Sequence, residues 1–255
     1  MTLGFVGTGA IAAAMVRGLS SPGGLGCAIR LSPRNAELAA ALADEYANVA
    51  VCASNQEVVD ASDTVVIALR RQVAEEVLSA LRFTPGQAVI SLVATIPVAR
   101  VAELVRPAAR VWRAVPLPSV AQRSGPIALF PAGGAAAELF AGLGQVFGVE
   151  AEDHLAAFGA ATSTMAAYFT FVGRIASWLA AQGVPEQHAR EYMASVFAGL
   201  GRTGLEAAHR NYEDLAAAHA TPGGLNEQVL RDLTARGLFD ALEQALDAVF
   251  HRAAG

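Results

Sequence analysis

The sequence predicts an α/β N-terminal domain, built on a doubly wound parallel sheet, followed by an all-α C-terminal domain. Three observations predict it. Short apolar runs alternate with helical patterns through the first half, as the crossovers between parallel strands require. The first run leads directly into Gly7-Thr8-Gly9-Ala10-Ile11-Ala12, a G-x-G-x-x-A turn that opens a helix. From about Glu152 strand signals cease and long helical patterns take over.

Strands are expected at residues 3–6, 28–31, 49–52, 64–69, 88–93, 111–115 and 127–130, each a short apolar run. Helices are expected between most of them, at 11–19, 36–45, 56–61, 73–81 and 98–104. Ser54-x-x-Glu57 has the spacing of a capping box, which starts the third helix. Gly133-Gly134 is expected to lead into a helix ending near Gly148. In the second half, helices are expected at 155–182, 185–209, 225–236 and 238–252. Pro185 suits a first helical turn, and Gly183 and Gly237 suit helix stops. The expected domains are 1–150 and 151–255.

Composition narrows the function. Of 255 residues 54% are hydrophobic and 16% charged, with a net charge of -5, so no basic stripe exists for nucleic acid. Cys27 and Cys52 form neither a disulfide framework nor a metal site and suit a reducing cytoplasm. No charged segment precedes the first strand, so no secretory signal is expected. Residues 155–173 carry no charge, but their hydroxyls and glycines favour a helix buried at a subunit interface over a membrane span. All 18 basic residues are arginine, which excludes a lysine Schiff base, a lysine general acid and a P-loop lysine.

The glycine turn has a definite chemistry, that of a Rossmann-type dinucleotide site. Gly7 permits a tight exit from the strand, Gly9 lets a pyrophosphate approach the backbone, and Ala12 lets helix and strand pack closely. The helix start then offers free amides and a positive dipole end to the anion. After the second strand, Leu31-Ser32-Pro33-Arg34-Asn35 has no acid before Glu37. Ser32 and Arg34 are therefore expected to take a 2′-phosphate, which selects NADPH over NADH.

These motifs, with several others in order, resemble the pyrroline-5-carboxylate reductase family along nearly the whole chain. The resemblance is carried by Gly4-Phe5-Val6-Gly7-Thr8-Gly9, Ser54-Asn55, the apolar run from Thr64 to Arg70, Ile90-Ser91-Leu92-Val93-Ala94 and Arg113-Ala114-Val115-Pro116. Thr221-Pro222-Gly223-Gly224 and Arg236-Gly237-Leu238-Phe239 complete it. It implies an NADPH-dependent reductase that delivers hydride to the C=N bond of a small cyclic imine carboxylate. The helical domain would form a homodimer. It implies that Val6, Gly7, Thr8, Gly9, Ala10 and Ile11 line the pyrophosphate, with Ser32 at the 2′-phosphate and Asn55 on the adenosine side. Ala68, Leu69, Arg70 and Arg71, with Val93, Ala94 and Thr95, would border the nicotinamide half. The Pro-Gly-Gly loop would hold the substrate carboxylate. Gly223 and Gly224 before a helix near Leu225 also form an anion site on physical grounds, Asn226 adding a side-chain donor.

Departures from the family pattern fall on the substrate side. Leu117 stands where the family has a polar asparagine, Leu225-Asn226 where it has a small residue and threonine, and Arg70-Arg71 where it has Lys-Pro. The substrate could therefore be another imine or a carbonyl carboxylate. An iminium is already electrophilic, so orientation dominates the chemistry. Candidates for proton donation are Tyr168, Thr164 and Thr221, each of which could equally be satisfied by helix backbone. His209 and His219 are weaker candidates, and Glu227 is explained by the helix dipole alone. No cluster has metal-ligand spacing. Two other readings stay open: a non-catalytic NADP-binding dimeric sensor, and a β-hydroxyacid-dehydrogenase-like oxidoreductase, against which the missing lysine counts.

Overall fold

In the computed structural model, which describes residues 1–254 with side chains through Arg252, the apolar runs of the first half form one eight-stranded sheet. The strands are β1 (Thr2–Val6), β2 (Ala28–Leu31), β3 (Val49–Val51), β4 (Thr64–Ile67), β5 (Ala88–Ser91), β6 (Arg110–Pro116), β7 (Pro126–Phe130) and β8 (Gln145–Gly148). Their order is β3-β2-β1-β4-β5-β6-β7-β8. Pairing is parallel throughout except between β6 and β7, so the doubly wound prediction holds with one reversed pair. The helices between strands are α1 (Ala10–Ser20), α2 (Ala36–Glu45), α3 (Asn55–Asp60), α4 (Arg71–Ser79), α5 (Val98–Leu104) and α6 (Gly134–Ala141). A 3-10 turn at Pro118–Gln122 joins β6 to β7.

Both faces of the central strands are buried, as parallel strands covered by helices on both sides must be. Phe5, Leu31, Val66 and Ile90 belong to one apolar layer with α1 and α6, and Val6, Val65, Ile67 and Val89 to the opposite layer. One half of the capping box forms, Ser54 Oγ accepting from the Glu57 amide at 3.1 Å, while the Glu57 carboxylate reaches one residue past the cap to the Ala53 amide at 2.9 Å.

The expected helix from Gly133 to Gly148 is corrected. It ends at Ala141, because the glycines at 142 and 144 release the chain and Gln145–Gly148 pairs in parallel with β7. The chain divides by its contacts into two units, Met1–Gly159 and Ala160–His251.

The second half is helical, with α7 (Asp153–Thr162), α8 (Met165–Ala181), α9 (Glu186–Glu206), α10 (Tyr212–His219), α11 (Leu225–Ala235) and α12 (Leu238–Ala254). The continuous helix expected over 155–182 breaks between α7 and α8. There the Ser163 and Thr164 hydroxyls donate to the carbonyls of Ala160 and Ala161, at 2.7 and 2.8 Å. Pro185 caps α9 in an extended conformation rather than entering its first turn. Helix α10 was not expected; it starts where Asn211 Oδ1 accepts the Asp214 amide at 2.7 Å.

Within this unit α8 packs on α9 around Ala176, Ala189 and Met193. Residues 155–173, expected to be buried at a subunit interface, are largely uncovered within the single chain. The stretch Asp153–Ala181 is long and apolar enough to cross a membrane, with mean hydropathy 1.4, yet only 17% of its apolar window is buried. Phe169, Trp178, Tyr192 and Leu205 stand exposed.

Candidate functional site

The site begins at the exit of β1. Gly7 has φ 100°, and a Cβ there would lie 2.5 Å from the Ala68 carbonyl oxygen, so only glycine fits. Its amide donates to Ser32 Oγ at 2.8 Å, and the Thr8 hydroxyl donates to the Ser32 carbonyl at 3.0 Å. Asn35 Nδ2 donates to the Thr8 carbonyl at 3.1 Å, bracing the turn from the far side. Gly9 faces open space: a Cβ there would meet nothing within 4 Å. It precedes α1 without a side-chain cap, and no acid occupies the first turn of that helix. The first amides of α1 therefore point, with the positive end of the helix dipole, at an uncluttered approach for an anion.

Two adjoining clefts of ≈ 280 and ≈ 310 Å³ meet over this turn and share Gly9, Ala68, Leu69 and Arg70. One continues past Gly7, Thr8, Arg34, Asn35 and Val73. The other continues past Ala10, Ile11, Ala12, Leu92, Ala94, Ala114, Val115 and Pro116. They lie where the strand order reverses between β1 and β4, the crevice in which doubly wound sheets bind ligands. Two clefts joined at an anion-binding turn suit a dinucleotide, with one mononucleotide on each side of its pyrophosphate.

Most residues expected at this groove line it: Gly7, Thr8, Gly9, Ala10, Ile11, Arg34, Ala68, Leu69, Arg70 and Ala94. Val6 and Val93 lie in the core beneath. Asn55, Arg71 and Thr95 do not line either cleft; Asn55 and Arg71 are the first residues of α3 and α4. Ser32 is 0% exposed, and its oxygens serve the Gly7 and Thr8 bonds, which leaves Arg34 as the exposed cation at the end of β2. Sequence reasoning missed Asn35, Val73, Leu92 and residues 114–116. Their signal was available only once β6 was placed beside β5 and α2 beside the turn.

In the helical unit, Thr164 and Tyr168 share the start of α8, where the Tyr168 amide donates to the Thr164 carbonyl at 2.8 Å. The Thr164 hydroxyl is committed to Ala161, and the Tyr168 ring sets its edge against Phe169 and Phe197. Thr221 opens the Pro-Gly-Gly loop, its carbonyl accepting the Gly224 amide at 2.8 Å. Gly224 caps α11, and Leu225 and Asn226 are exposed in its first turn. The Gly223 amide donates to Glu227 Oε2 at 2.7 Å, so the chain's own carboxylate occupies that part of the expected anion site. His219 Nδ1 lies 2.8 Å from the Leu215 carbonyl. Among the described residues no group of three His, Cys, Asp or Glu could hold a metal. Burial pushes both the Cys27 and Cys52 thiols above their ordinary range.

A glycine-turn groove at the switch point of this sheet, followed by a helical unit, defines a dinucleotide-binding oxidoreductase. Comparison with known proteins narrows the class. Residues 2–95 match the family model described as NADP oxidoreductase coenzyme F420-dependent, and residues 152–255 match that for pyrroline-5-carboxylate reductase dimerisation. The chain is 26% identical to a pyrroline-5-carboxylate reductase of Pseudomonas aeruginosa, over 99% of this chain and 95% of that protein. The 1-pyrroline-5-carboxylate reductase of Streptococcus pyogenes superposes with a TM-score of 0.85 at 25% identity, covering 99% of this chain and 98% of its own. The Plasmodium falciparum pyrroline carboxylate reductase with NADP bound shares the fold, with a TM-score of 0.81 at 15% identity over 99% and 97% of the two chains. Over nearly its whole length the chain is thus similar to pyrroline-5-carboxylate reductases, and its helical half matches the dimerisation model of that family.

Proposed function

We propose that this protein is an NADPH-dependent reductase of a small cyclic imine carboxylate, pyrroline-5-carboxylate or a close analogue, working as a homodimer in the cytoplasm. The observation that carries this reading is the end-to-end similarity to pyrroline-5-carboxylate reductases, across both units. NADPH is supported by the exposed Arg34 with no acid beside it at the end of β2, and by the NADP bound to the Plasmodium falciparum relative. The homodimer is supported by the dimerisation match over 152–255 and the bare apolar surface of α8.

When bound, the dihydronicotinamide supplies a hydride to the imine carbon while the nitrogen keeps its proton and becomes an amine. The chain's own contribution is orientation. The α1 amides hold the pyrophosphate, Arg34 holds the 2′-phosphate, and Leu92, Ala94 and residues 114–116 give the nicotinamide half an apolar, water-poor wall. The Thr164 hydroxyl is spent on the helix backbone, so a substrate arriving as a protonated iminium is the simplest chemistry this protein can serve.

A panel of cyclic imines with NADPH tests the reading. Oxidation of NADPH with pyrroline-5-carboxylate or an analogue is the expected result, and no turnover on any imine overturns it. A second reading, an NADP-binding dimeric sensor, is favoured by Glu227 on the Gly223 amide. It predicts tight NADPH binding with no turnover on imines or carbonyls.

A further inference from the structure

The loop between β5 and α5 is held from beneath by an ion pair between a buried arginine and a partly exposed glutamate. Arg113, on β6 beside Ser91, is 6% exposed. One of its terminal nitrogens lies 2.8 Å from Glu152 Oε1, the other donates to the Ala94 carbonyl, and its Nε has no partner. The same Glu152 oxygen accepts the amide of Val98, the first residue of α5, at 2.8 Å. Val93 and Ile96 anchor the loop in the apolar core. Burying the Arg113 guanidinium carries a desolvation cost that packing alone would not select. The arrangement is explained by what it does to one peptide plane.

In a trans peptide the carbonyl and the following N–H point in opposite directions. The Ala94 carbonyl is drawn inward onto Arg113, so the Thr95 N–H points away from that buried cation. Among the described residues this N–H donates to no protein atom. Ala94 itself borders the cleft at the end remote from Arg34, alongside Ala114 and Val115, and Thr95, just outside the lining, reaches it through the peptide the two residues share.

We propose that the Arg113–Glu152 pair is a positioning device for the nicotinamide end of the groove. It fixes the Ala94–Thr95 peptide so that the Thr95 amide is offered as the donor to the carboxamide oxygen of the cofactor. This rests on the NADPH reading above. Neither Arg113 nor Glu152 touches cofactor; each acts through the loop.

Equilibrium binding of NADPH and of 2′,5′-ADP, which lacks the nicotinamide half, tests the proposal without any turnover. The variants are Arg113→Lys, which keeps the charge but replaces by one nitrogen the two that serve Glu152 and Ala94 separately, and the double variant Arg113→Met with Glu152→Met. The double variant replaces the ion pair by apolar groups of similar length and so guards against simple unfolding, which thermal melting monitors. In both, NADPH is expected to bind about tenfold more weakly, the scale of one lost hydrogen bond. Binding of 2′,5′-ADP is expected to stay within about twofold, below the scale of such a bond. Equal weakening of both ligands, or unchanged NADPH affinity in the folded variants, overturns the positioning role. Failure of the unaltered protein to bind either ligand overturns instead the cofactor reading on which it rests.

Discussion

The amide of Gly7 and the side chain of Ser32 meet at 2.8 Å, joining the turn after β1 to the turn after β2. Ser32 has no exposed surface and also takes the Thr8 hydroxyl on its carbonyl, while Asn35 holds the Thr8 carbonyl from outside. A single short segment thus has two tasks. Ser32 and Asn35 set the shape of the glycine turn, and Arg34 between them is free to face the groove.

Replacing Ser32 by alanine leaves the buried Gly7 amide without an acceptor. The expected cost is about 1–3 kcal/mol of folding stability, the usual penalty for an unsatisfied buried donor. Urea denaturation measures it. NADPH and NADH should weaken together, since the turn holds the pyrophosphate common to both. Weakening confined to NADPH would return Ser32 to the 2′-phosphate.

Arg34 is expected to behave in the opposite way. Arg34→Ala removes the exposed cation at the end of β2, so the preference for NADPH over NADH should fall by about 10- to 100-fold, the scale of a charge-assisted bond to phosphate. NADH affinity should barely change. Coenzyme titrations read both numbers, and an unchanged ratio would assign 2′-phosphate recognition elsewhere.

The contrast between these two neighbours shows where sequence is legible and where it is not. The parallel strands were readable because burial on both faces forces unbroken apolar runs, as at Val65, Val66 and Ile67. The glycine turn was readable because its residues answer to backbone geometry. Strand β8 was not: Gln145 and Phe147 are exposed, and pairing with β7, rather than any local pattern, makes the segment a strand. Helix α10 has no buried residue, so no periodic apolar face announced it. Ser32 and Arg34 are both polar residues after β2, and only packing decides which one sinks beneath the turn. Residues 155–173 read as a helix for a subunit interface, but the apolar run does not say which of its side chains meet the partner.

A second copy of the chain is the proposed cover. Phe169 and Trp178 on α8 are 72% and 62% exposed in the single chain, more than isolated surface residues need account for. Phe169→Glu or Trp178→Glu should convert a dimer to monomers in sedimentation velocity, because a charge in the apolar centre of an interface is left without compensation. The sheet unit should retain NADPH binding, since the residues that line its two clefts all lie in the first unit. A dimer indifferent to both changes would place the interface on another face.

Glu227 bears on substrate choice. It stands in the first turn of α11 and accepts the Gly223 amide at 2.7 Å, so a substrate carboxylate at the Pro-Gly-Gly loop meets a like charge already seated there. Glu227→Ala frees that amide and removes the repulsion. The ratio of kcat/KM for pyrroline-5-carboxylate to that for 1-pyrroline, which lacks the carboxylate, should then rise by about tenfold, a modest share of the attraction or repulsion between charges a few ångströms apart near a protein surface. Taking the ratio on one variant cancels any loss both substrates share, including the weaker start of the helix when its acidic cap is removed. A ratio unmoved by Glu227→Ala would make Glu227 a helix cap and nothing more. The substrate carboxylate would then be held by another part of the protein.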